Sequence, residues 1–289
     1  MFAVIIGIFV LLLNCVTVAQ ASDDRVDVNV GISKEVNDVF QSWVKDQSCA
    51  DINDFGTEYS PRAAIELVIL CKALEHSDLK FNLNLIISGN YSRSLILASS
   101  EHLHTTAETT WRSDTDTKRF YITEPIFVSN QLEKGIFTTP NHPMLTLPVN
   151  QLIEKIDQYI GITVNNWDQD WSVINQFTEN VIKAPSQSSV HKMLYAKRGD
   201  FCLGEFNQYK TFELSGLKLI NIPGVKVLFN ESRHFVISKS MPNSAEIYTA
   251  LNQGIKSLRE KGLIKQMFTQ SGITPADTVF WQVLNKTKG

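Results

Sequence analysis

Apolar and polar residues alternate in two short stretches of the chain. Val26–Ile32 reads VDVNVGI and Phe81–Ile87 reads FNLNLII, and this period of two predicts β-strands with one buried face. Residues 61–74, PRAAIELVILCKAL, are apolar around most of a helical circumference, which predicts a deeply buried helix. Ser60 is placed to cap this helix, and Pro61 suits its first turn, where a backbone N–H has no helical partner.

Short apolar strands alternate with helical stretches from residue 134 to about residue 225. The predicted strands contain the sequences GIFTT, ITV, VIKA and FCL. The helices predicted between them cover residues 148–160, a stretch around Trp171, and residues 188–195. Strands and helices that alternate at this spacing predict βαβ units on a mainly parallel sheet.

The tail of the chain changes to an amphipathic helical pattern. Residues 234–240 predict a strand, and Asn243 with Glu246 three residues later predicts a capping box at the start of a helix. The apolar stripe of this helix consists of Ile247, Leu251, Ile255 and Leu258. Gly262 ends the helix, and LIKQMFTQ begins another. Such a tail needs a core formed by other parts of the chain.

The first residues have the pattern of an export signal. An apolar run from Phe2 to Leu13 is followed by the small-x-small sequence Ala19-Gln20-Ala21, which predicts a secretory signal peptide over residues 1–21. The alternative is an uncleaved membrane anchor, for which the run is short. We therefore expect a soluble and exported mature chain.

Composition narrows the classes of partner and fold. The formal net charge of −3 argues against a nucleic-acid partner, which would require clustered Lys and Arg. The chain has 289 residues, 43% of them hydrophobic, which suits one large domain or two ordinary ones with a packed core.

Cysteine usage gives one structural expectation. Removal of the signal peptide leaves three cysteines, Cys49, Cys71 and Cys202. In an oxidising compartment we predict a bridge between Cys49 and Cys71, with Cys202 a buried thiol. The alternative is three unpaired thiols.

Sequence motifs of common enzymes are absent. The chain contains no G-x-S-x-G nucleophile elbow and no glycine-rich phosphate loop. His102 and His104 would face the same side of a strand, but no third metal ligand accompanies them, which favours a surface or core pair. We expect neither a metal nor a cofactor, and we assign no catalytic residue.

Four segments resemble one family of proteins. They are PRAAIELVILCKALEHSDLKFNL, RFYITEPIF, MLYAKRGDFCLGEF and NSAEIYTALNQGIKSLREKGLIKQMFTQSG. In their order and spacing, which cover nearly the whole mature chain, they resemble the bacterial periplasmic solute-binding proteins that serve polar amino acid transport. The resemblance implies an α/β, two-lobed Venus-flytrap fold of type II with two hinge crossovers.

The resemblance also implies a division of the chain. Residues 22–123 and 233–289 would form the first lobe, and residues 124–232 would form the second. The hinge would lie near residues 123–125 and 229–233, and two extended strands there would let the lobes close on a ligand.

An amino acid ligand needs a cation for its carboxylate and an acidic group for its amine. Thr110, Trp111 and Arg112 lie where the resemblance places the carboxylate-binding arginine, shortly before the first crossing. The polar run SDTDTK after them departs from the family pattern, and Arg119 is an alternative match by its distance from the crossing.

The remaining candidates lie at strand ends and helix starts. From the first lobe they are Tyr59, Arg62, Tyr91 and Glu108; from the second they are Gln187, Ser188, Ser189, Asp200 and Glu205. Ser188 and Ser189 belong to a helix start that suits an anion, and Asp200 and Glu205 flank a strand as acceptors for an ammonium group. For each residue the alternative is a cap, a turn or a surface position.

These features predict an exported protein that captures a small polar ligand for an ABC-type transporter, with an amino acid as one candidate. One alternative is a ligand sensor that presents its closed state to a receptor kinase. Another is an enzyme on the same fold that uses Glu108 in the cleft. The expected partners are a small polar molecule and a membrane permease or sensor, with no nucleic acid, and the protein is expected to be a monomer.

Overall fold

A parallel sheet forms around the first predicted strand. The computed structural model describes residues 25–45, 47–58 and 61–285, so the predicted signal peptide lies outside the described residues. Strand β1 (Val26–Ile32) lies between β2 (Phe81–Ile87) and β3 (Thr105–Thr106), and all are parallel. The two strands predicted from alternation are confirmed with their predicted ends.

Three helices accompany this sheet. They are α1 (Lys34–Val44), α2 (Arg62–Glu75) and α3 (Tyr91–Ser99). Every residue of α2 from Arg62 to Leu74 is buried, which confirms the deeply buried helix. Ser33 caps α1 and Asn90 caps α3, each by accepting a hydrogen bond from the backbone three residues on.

A second, antiparallel sheet contains a strand from the tail. Strand β12 (Arg233–Ser238) lies between β4 (Thr110–Trp111) and β5 (Phe120–Phe127). The Ser238 amide donates to the carbonyl of His104, next to β3, at 2.8 Å, which joins the second sheet to the first. The tail thus completes a core that the first hundred residues begin.

Helices α7 (Ser244–Glu260) and α8 (Leu263–Gln270) end this core. The predicted apolar stripe is confirmed, since its four side chains are at most 1% exposed. The predicted capping box is wrong. Asn243 has a left-handed backbone (φ 57°) and its side chain makes no capping hydrogen bond, because the left-handed turn aims the amide away from the first helical N–H groups.

The central part of the chain forms a separate set of strands. Its largest sheet has the order β10 (Thr211–Leu214), β11 (Leu217–Leu228), β6 (Glu133–Thr138), β9 (Cys202–Glu205). Strands β7 (Gly161–Val164) and β8 (Val181–Ala184) pair with each other and meet this sheet through a bridge between Gly161 and Phe201. Helices α4 (Val149–Lys155), α5 (Asp168–Ile174) and α6 (Gln187–Tyr195) cover the strands.

The mainly parallel sheet predicted for this region is wrong. Strands β7 and β8 pair in parallel, but β6 is antiparallel to both β9 and β11. Strands β10 and β11 are also antiparallel, joined by Ser215 and Gly216 with φ of 53° and 74°. Two left-handed residues make the tight hairpin turn that forces neighbouring strands into opposite directions.

We call β1–β5, β12, α1–α3, α7 and α8 the first lobe, and β6–β11 with α4–α6 the second lobe. The chain passes between them after β5 and before β12, and these two strands pair from Arg233 and Phe127 onward. The boundaries predicted at residues 123 and 232 remain predictions.

The last described residues make a further connection. Strand β13 (Gln282–Val283) pairs in parallel with Val225 and Lys226 of β11, so the end of the segment predicted for the first lobe lies against the second. Trp281 packs edge-on against Phe206, with ring centroids 5.7 Å apart. This third connection follows α8.

Cys49 and Cys71 form a disulfide with their Cα atoms 6.3 Å apart, and Cys202 is a buried free thiol. The bridge ties the turn at Cys49–Asp51 to the middle of α2. Among the described residues, none of the helices combines the length and apolar character that a membrane crossing needs.

Candidate functional site

A narrow crevice lies on the first lobe, and in this structure the space between its walls is too small to admit a water molecule. It lies at the carboxyl ends of β1 and β3 and beside the first turns of α1 and α3. Ligands of open α/β sheets bind at such strand ends. The side chains that line it include Ser33, Val36, Tyr91, Ser94, Thr106 and Glu108.

Arg62, in the first turn of α2, joins three carboxylates beside this crevice. Its Nε donates to Glu205 at 2.5 Å, its Nη1 to Glu66 at 2.7 Å and its Nη2 to Glu108 at 3.0 Å. Burial alone would lower the pKa of Arg62, but Glu205, Glu66 and Glu108 outweigh it and hold that pKa well above its ordinary value. The guanidinium is thus a permanent charge whose donors are divided among three acids.

The contact between Arg62 and Glu205 crosses from one lobe to the other. Arg62 belongs to the first lobe, and Glu205 ends β9 of the second. Burial acts to raise the pKa of Glu205, but Arg62, Lys134 and Arg233 together bring it below its ordinary value. An ionised Glu205 therefore faces Arg62 across the interface between the lobes.

Thr109 connects this cluster to a second buried arginine. Its amide and its hydroxyl donate to the two oxygens of Glu66, at 2.8 and 2.7 Å. The same hydroxyl accepts from Arg233 Nε at 2.9 Å, and the Thr109 carbonyl accepts from Arg233 Nη2. Glu66 and Thr109 are both fully buried, so these bonds hold the two arginines at fixed positions.

Aromatic rings surround the Arg233 guanidinium. Its central carbon lies 4.4 Å from the ring centroid of Trp111 and 5.9 Å from that of Tyr91. Trp111 in turn stacks on Phe229, with centroids 5.1 Å apart. These contacts favour a cation at this position.

Tyr91 links the crevice to Asp114. Its hydroxyl donates to Asp114 at 2.8 Å and accepts from the Trp111 amide at 3.3 Å. Burial raises the pKa of Tyr91, and burial also raises the pKa of Asp114 above its ordinary value. Tyr91 is therefore a neutral donor at the crevice wall.

A second pair of charges lies on the second lobe near the interface. Lys134 donates to both oxygens of Asp170, at 2.8 and 3.0 Å, and both side chains are buried. The Lys134 ammonium is also 5.2 Å from the ring centroids of Trp167 and Phe229. This ammonium is neutralised by its own partner.

The hinge carries a further contact between the lobes. Glu231, before β12, accepts from the amide of Ser113 and from its hydroxyl, the latter at 2.9 Å. Gln169 of the second lobe donates to that Ser113 hydroxyl at 3.1 Å and to Glu231. The polar contacts between the lobes thus include this one and that of Arg62 with Glu205.

The structure brings together six residues that the sequence analysis selected. Arg62, Glu108 and Glu205 form the ion-pair cluster, and Tyr91 lines the crevice. Trp111 packs against Arg233, and Thr110 beside it is fully buried, with its hydroxyl donating to the carbonyl of His234 at 3.3 Å.

Other selected residues lie elsewhere. Arg112 is exposed on the hinge side and donates to Thr115 at 3.2 Å. The pKa of the nearby His234 is lowered by burial and, to a smaller extent, by the charge of Arg112. Arg119 is exposed and lies 4.0 Å from Asp116. Neither guanidinium joins the buried cluster, because the chain turns outward after Trp111 into the short helical turn Arg112–Asp114.

The remaining selected residues of the second lobe have local partners. Asp200 accepts from the amide of Ile160 at 2.8 Å and contacts His142 at 3.1 Å, so it holds a turn. Ser188 and Ser189 lie in the first turn of α6, which Ser186 caps. Tyr59 lies outside the described residues.

The sequence analysis missed Glu66, Thr109 and Arg233 as site residues. Glu66 and Thr109 stand inside apolar or hydroxyl-rich segments, and Arg233 was placed only in the hinge. One signal was available: a glutamate inside an otherwise apolar helix must have a partner.

The two histidines of the H-x-H sequence have ordinary partners. His104 is buried, and its ring accepts from the Asn29 amide at 3.0 Å and contacts the Pro242 carbonyl at 3.0 Å. His102 is exposed beside the Ser100 carbonyl. Within residues 25–45, 47–58 and 61–285, no three His, Cys, Asp or Glu side chains are grouped as metal ligands.

Comparison with known proteins gives matches in structure alone. No protein-family model matches the chain, and no curated protein sequence matches it. The probable amino-acid ABC transporter extracellular-binding protein ytmK of Bacillus subtilis is similar, with 13% identity and a TM-score of 0.57 over 87% of this chain and all of that one.

Two further structures are similar. The second substrate-binding domain of Lactococcus lactis GlnP, in an open conformation, has 12% identity and a TM-score of 0.51 over 88% of this chain and 97% of its own. The VFT2 domain of Bordetella pertussis BvgS has 12% identity and a TM-score of 0.53 over 85% and 92%. The predicted α/β, two-lobed periplasmic-binding fold is confirmed.

Proposed function

We propose that this protein is an exported solute-binding protein that captures a small polar molecule between its lobes and delivers it to an ABC-type transporter. The observation that carries the proposal is the ion pair between Arg62 and Glu205, which joins the lobes beside the crevice. A ligand that contacts both lobes there would stabilise the closed arrangement.

The connections between the lobes suit such closure. The chain leaves the first lobe after β5 and returns to it before β12, and because these strands lie side by side, a few residues at their ends can absorb a rotation. The lobes contact each other through side chains here: Arg62 bonds to Glu205, and Gln169 bonds to Ser113. Such contacts break and re-form as the lobes move.

The site is built for binding a polar group. Glu108 and Glu205 present carboxylates, and the hydroxyls of Tyr91, Ser94 and Thr106 lie at the crevice wall, where each donates to a neighbouring protein group. The carboxylates are acceptors for the ammonium group of an amino acid. The similar protein ytmK is a probable amino-acid ABC transporter extracellular-binding protein, which supports the transport role.

The two alternatives use the same crevice. The sensor alternative differs only in the partner that receives the closed state, and a neighbouring permease or kinase reading frame would distinguish the two. The catalytic alternative depends on Glu108, and this carboxylate is held in an ion pair with Arg62 at 3.0 Å. We therefore place Glu108 in the binding site.

The test fills the crevice without touching the charged cluster. Val36 and Val39 of α1 are both half-buried against the core, but Val36 lines the crevice and Val39 does not. Val36→Phe is expected to weaken ligand binding at least tenfold, and Val39→Phe is the matched control that retains binding. Thermal-shift screening against amino acids, polyamines, sugars and organic acids identifies the ligand, because saturation at about 100 times Kd stabilises the folded state by about 2.7 kcal/mol.

Small-angle scattering of the wild type then measures closure as a fall in the radius of gyration on ligand addition. Each variant's melting temperature without ligand reports whether its fold is intact. A complete screen without a thermal shift would refute the proposal, and so would equal ligand affinities of the folded Val36→Phe and Val39→Phe variants.

A further inference from the structure

Negative charges outnumber positive charges beside the crevice once each charged side chain is assigned to its partners. Arg62 and Glu66 form a fixed pair, because Glu66 is fully buried and both of its oxygens also accept from Thr109. That leaves Glu108 and Glu205 to share the remaining donors of a single guanidinium. The one charge of Arg62 therefore cannot balance all three acids.

The other buried cations near this cluster do not make up the difference. Lys134 is paired with Asp170 through both carboxylate oxygens. Arg233 donates to Thr109 and is enclosed by the rings of Trp111 and Tyr91. The cations are Arg62, Arg233 and Lys134, and the carboxylates are Glu66, Glu108, Glu205 and Asp170, since Asp114 is exposed. Carboxylates thus exceed cations by one.

Glu108 and Glu205 are also the accessible members of the three acids that contact Arg62. Their side chains are 21% and 32% exposed, whereas that of Glu66 is 0% exposed. In the described part of the chain each accepts one side-chain hydrogen bond, through one oxygen, from Arg62. The second oxygen of each carboxylate is open to a further donor.

We propose that the ligand is a small cation, an amine or a guanidine such as a basic amino acid, and that Glu108 and Glu205 receive its charge from opposite lobes. The proposal rests on the function proposed above. Arg62 shows the geometry: one planar guanidinium reaches both carboxylates at 2.5 and 3.0 Å. A ligand head group that enters beside Glu108 takes the second, open oxygens of the two carboxylates, and its charge balances the one carboxylate in excess.

This assignment makes Glu108 and Glu205 the residues that determine specificity. A neutral ligand of the same shape would leave the excess charge uncompensated, and an anionic ligand would add to it. Because part of the attraction crosses solvent-accessible space, cation binding should weaken as ionic strength rises.

Calorimetric titration with matched ligands tests the proposal on the full mature chain. The probes are L-arginine, L-lysine and putrescine as cations, L-citrulline as the neutral isostere of arginine, and L-glutamine and L-glutamate as neutral and anionic references. We expect at least one cation to bind, with an affinity at least tenfold above that of L-citrulline, and to bind more weakly at higher salt.

Variants of the two carboxylates complete the test. Glu108→Gln and Glu205→Gln should each weaken cation binding at least tenfold, and the double variant should abolish the preference for a cation over its neutral isostere. Glu246→Gln, at an exposed position of α7, should bind as the wild type does. Melting temperatures without ligand confirm that each variant is folded.

The outcomes separate this inference from the proposed function. If neutral or anionic molecules bind and close the lobes while cations do not, the inference is refuted and the solute-binding function stands. If cations bind equally well to the wild type and to the folded double variant, the roles of Glu108 and Glu205 are refuted. If no small molecule of any charge binds, the proposed function itself fails.

Discussion

At the residue scale, Thr109 makes four polar contacts with two buried charged side chains. Its hydroxyl donates to Glu66 and accepts from Arg233, and its amide and carbonyl bond the same two side chains. A hydroxyl is one of the few groups that can donate to a carboxylate and accept from a guanidinium at once. The two buried charges of opposite sign thus depend on one small side chain.

Thr109→Val should lower the free energy of unfolding by about 2 kcal/mol, because Glu66 and Arg233 each lose a buried hydrogen bond without gaining water. Urea denaturation measures the change. Thr110→Val is the matched control, since Thr110 is equally buried but its hydroxyl makes one long bond of 3.3 Å to a carbonyl. Equal losses in the two variants would show that Thr109 does not have this linking role.

At the element scale, α7 and α2 pack closely enough for their backbones to touch. A Cβ atom added at Gly254 would lie 1.8 Å from the Ala73 carbonyl oxygen, a contact with backbone that no side-chain rotation relieves. The apolar stripe of α7 buries itself on either side of this point. Glycine at this position therefore sets the distance between the two helices.

Gly254→Ala should lower the free energy of unfolding by about 3 kcal/mol, at the upper end of the usual cost of overpacking, although alanine is the better helix former. Gln253→Ala tests the same helix at an exposed position and should change stability by less than about 0.5 kcal/mol. Thermal denaturation of both variants measures the difference. A Gly254→Ala protein as stable as Gln253→Ala would contradict the close packing of α7 on α2.

On the scale of the whole molecule, the chain connects the lobes three times. Besides the two crossings at β5 and β12, the segment after α8 reaches β11, where the Leu284 amide donates to the Lys226 carbonyl at 2.9 Å. Trp281 anchors it against Phe206 and lies 5.2 Å from the Lys210 ammonium. A third connection limits the rotation that the hinge allows.

Trp281→Ala should release this connection, because the ring supplies the apolar contact of the segment with the second lobe. We expect a lower melting temperature and a larger radius of gyration without ligand, measured by small-angle scattering. Phe280→Ala is the matched control, since the neighbouring ring is 91% exposed and its loss should change neither quantity. The same radius of gyration in both variants would argue against a restraining role.

The sequence by itself determined several elements and the kind of fold. Strands β1 and β2, the buried helix α2 and the stripe of α7 follow from hydrophobic periodicity, which is a local property and can be predicted from local sequence. The two-lobed arrangement was implied by the resemblance of four segments, in their order and spacing, to the periplasmic solute-binding proteins. Arg62 and Glu205 were selected because they flank predicted elements where ligand contacts occur.

Only the tertiary structure decided which charges meet. Arg62 and Glu205 are 143 positions apart, and Arg233 lies 124 positions from Thr109. Such partners depend on how the lobes pack and on the return of the tail through β12, which no local pattern specifies. Arg112, beside Trp111 in the sequence, is exposed at the hinge for the same reason. The direction of neighbouring strands in the second lobe was also a tertiary property, since periodicity shows a strand's buried face but not the direction of its partner.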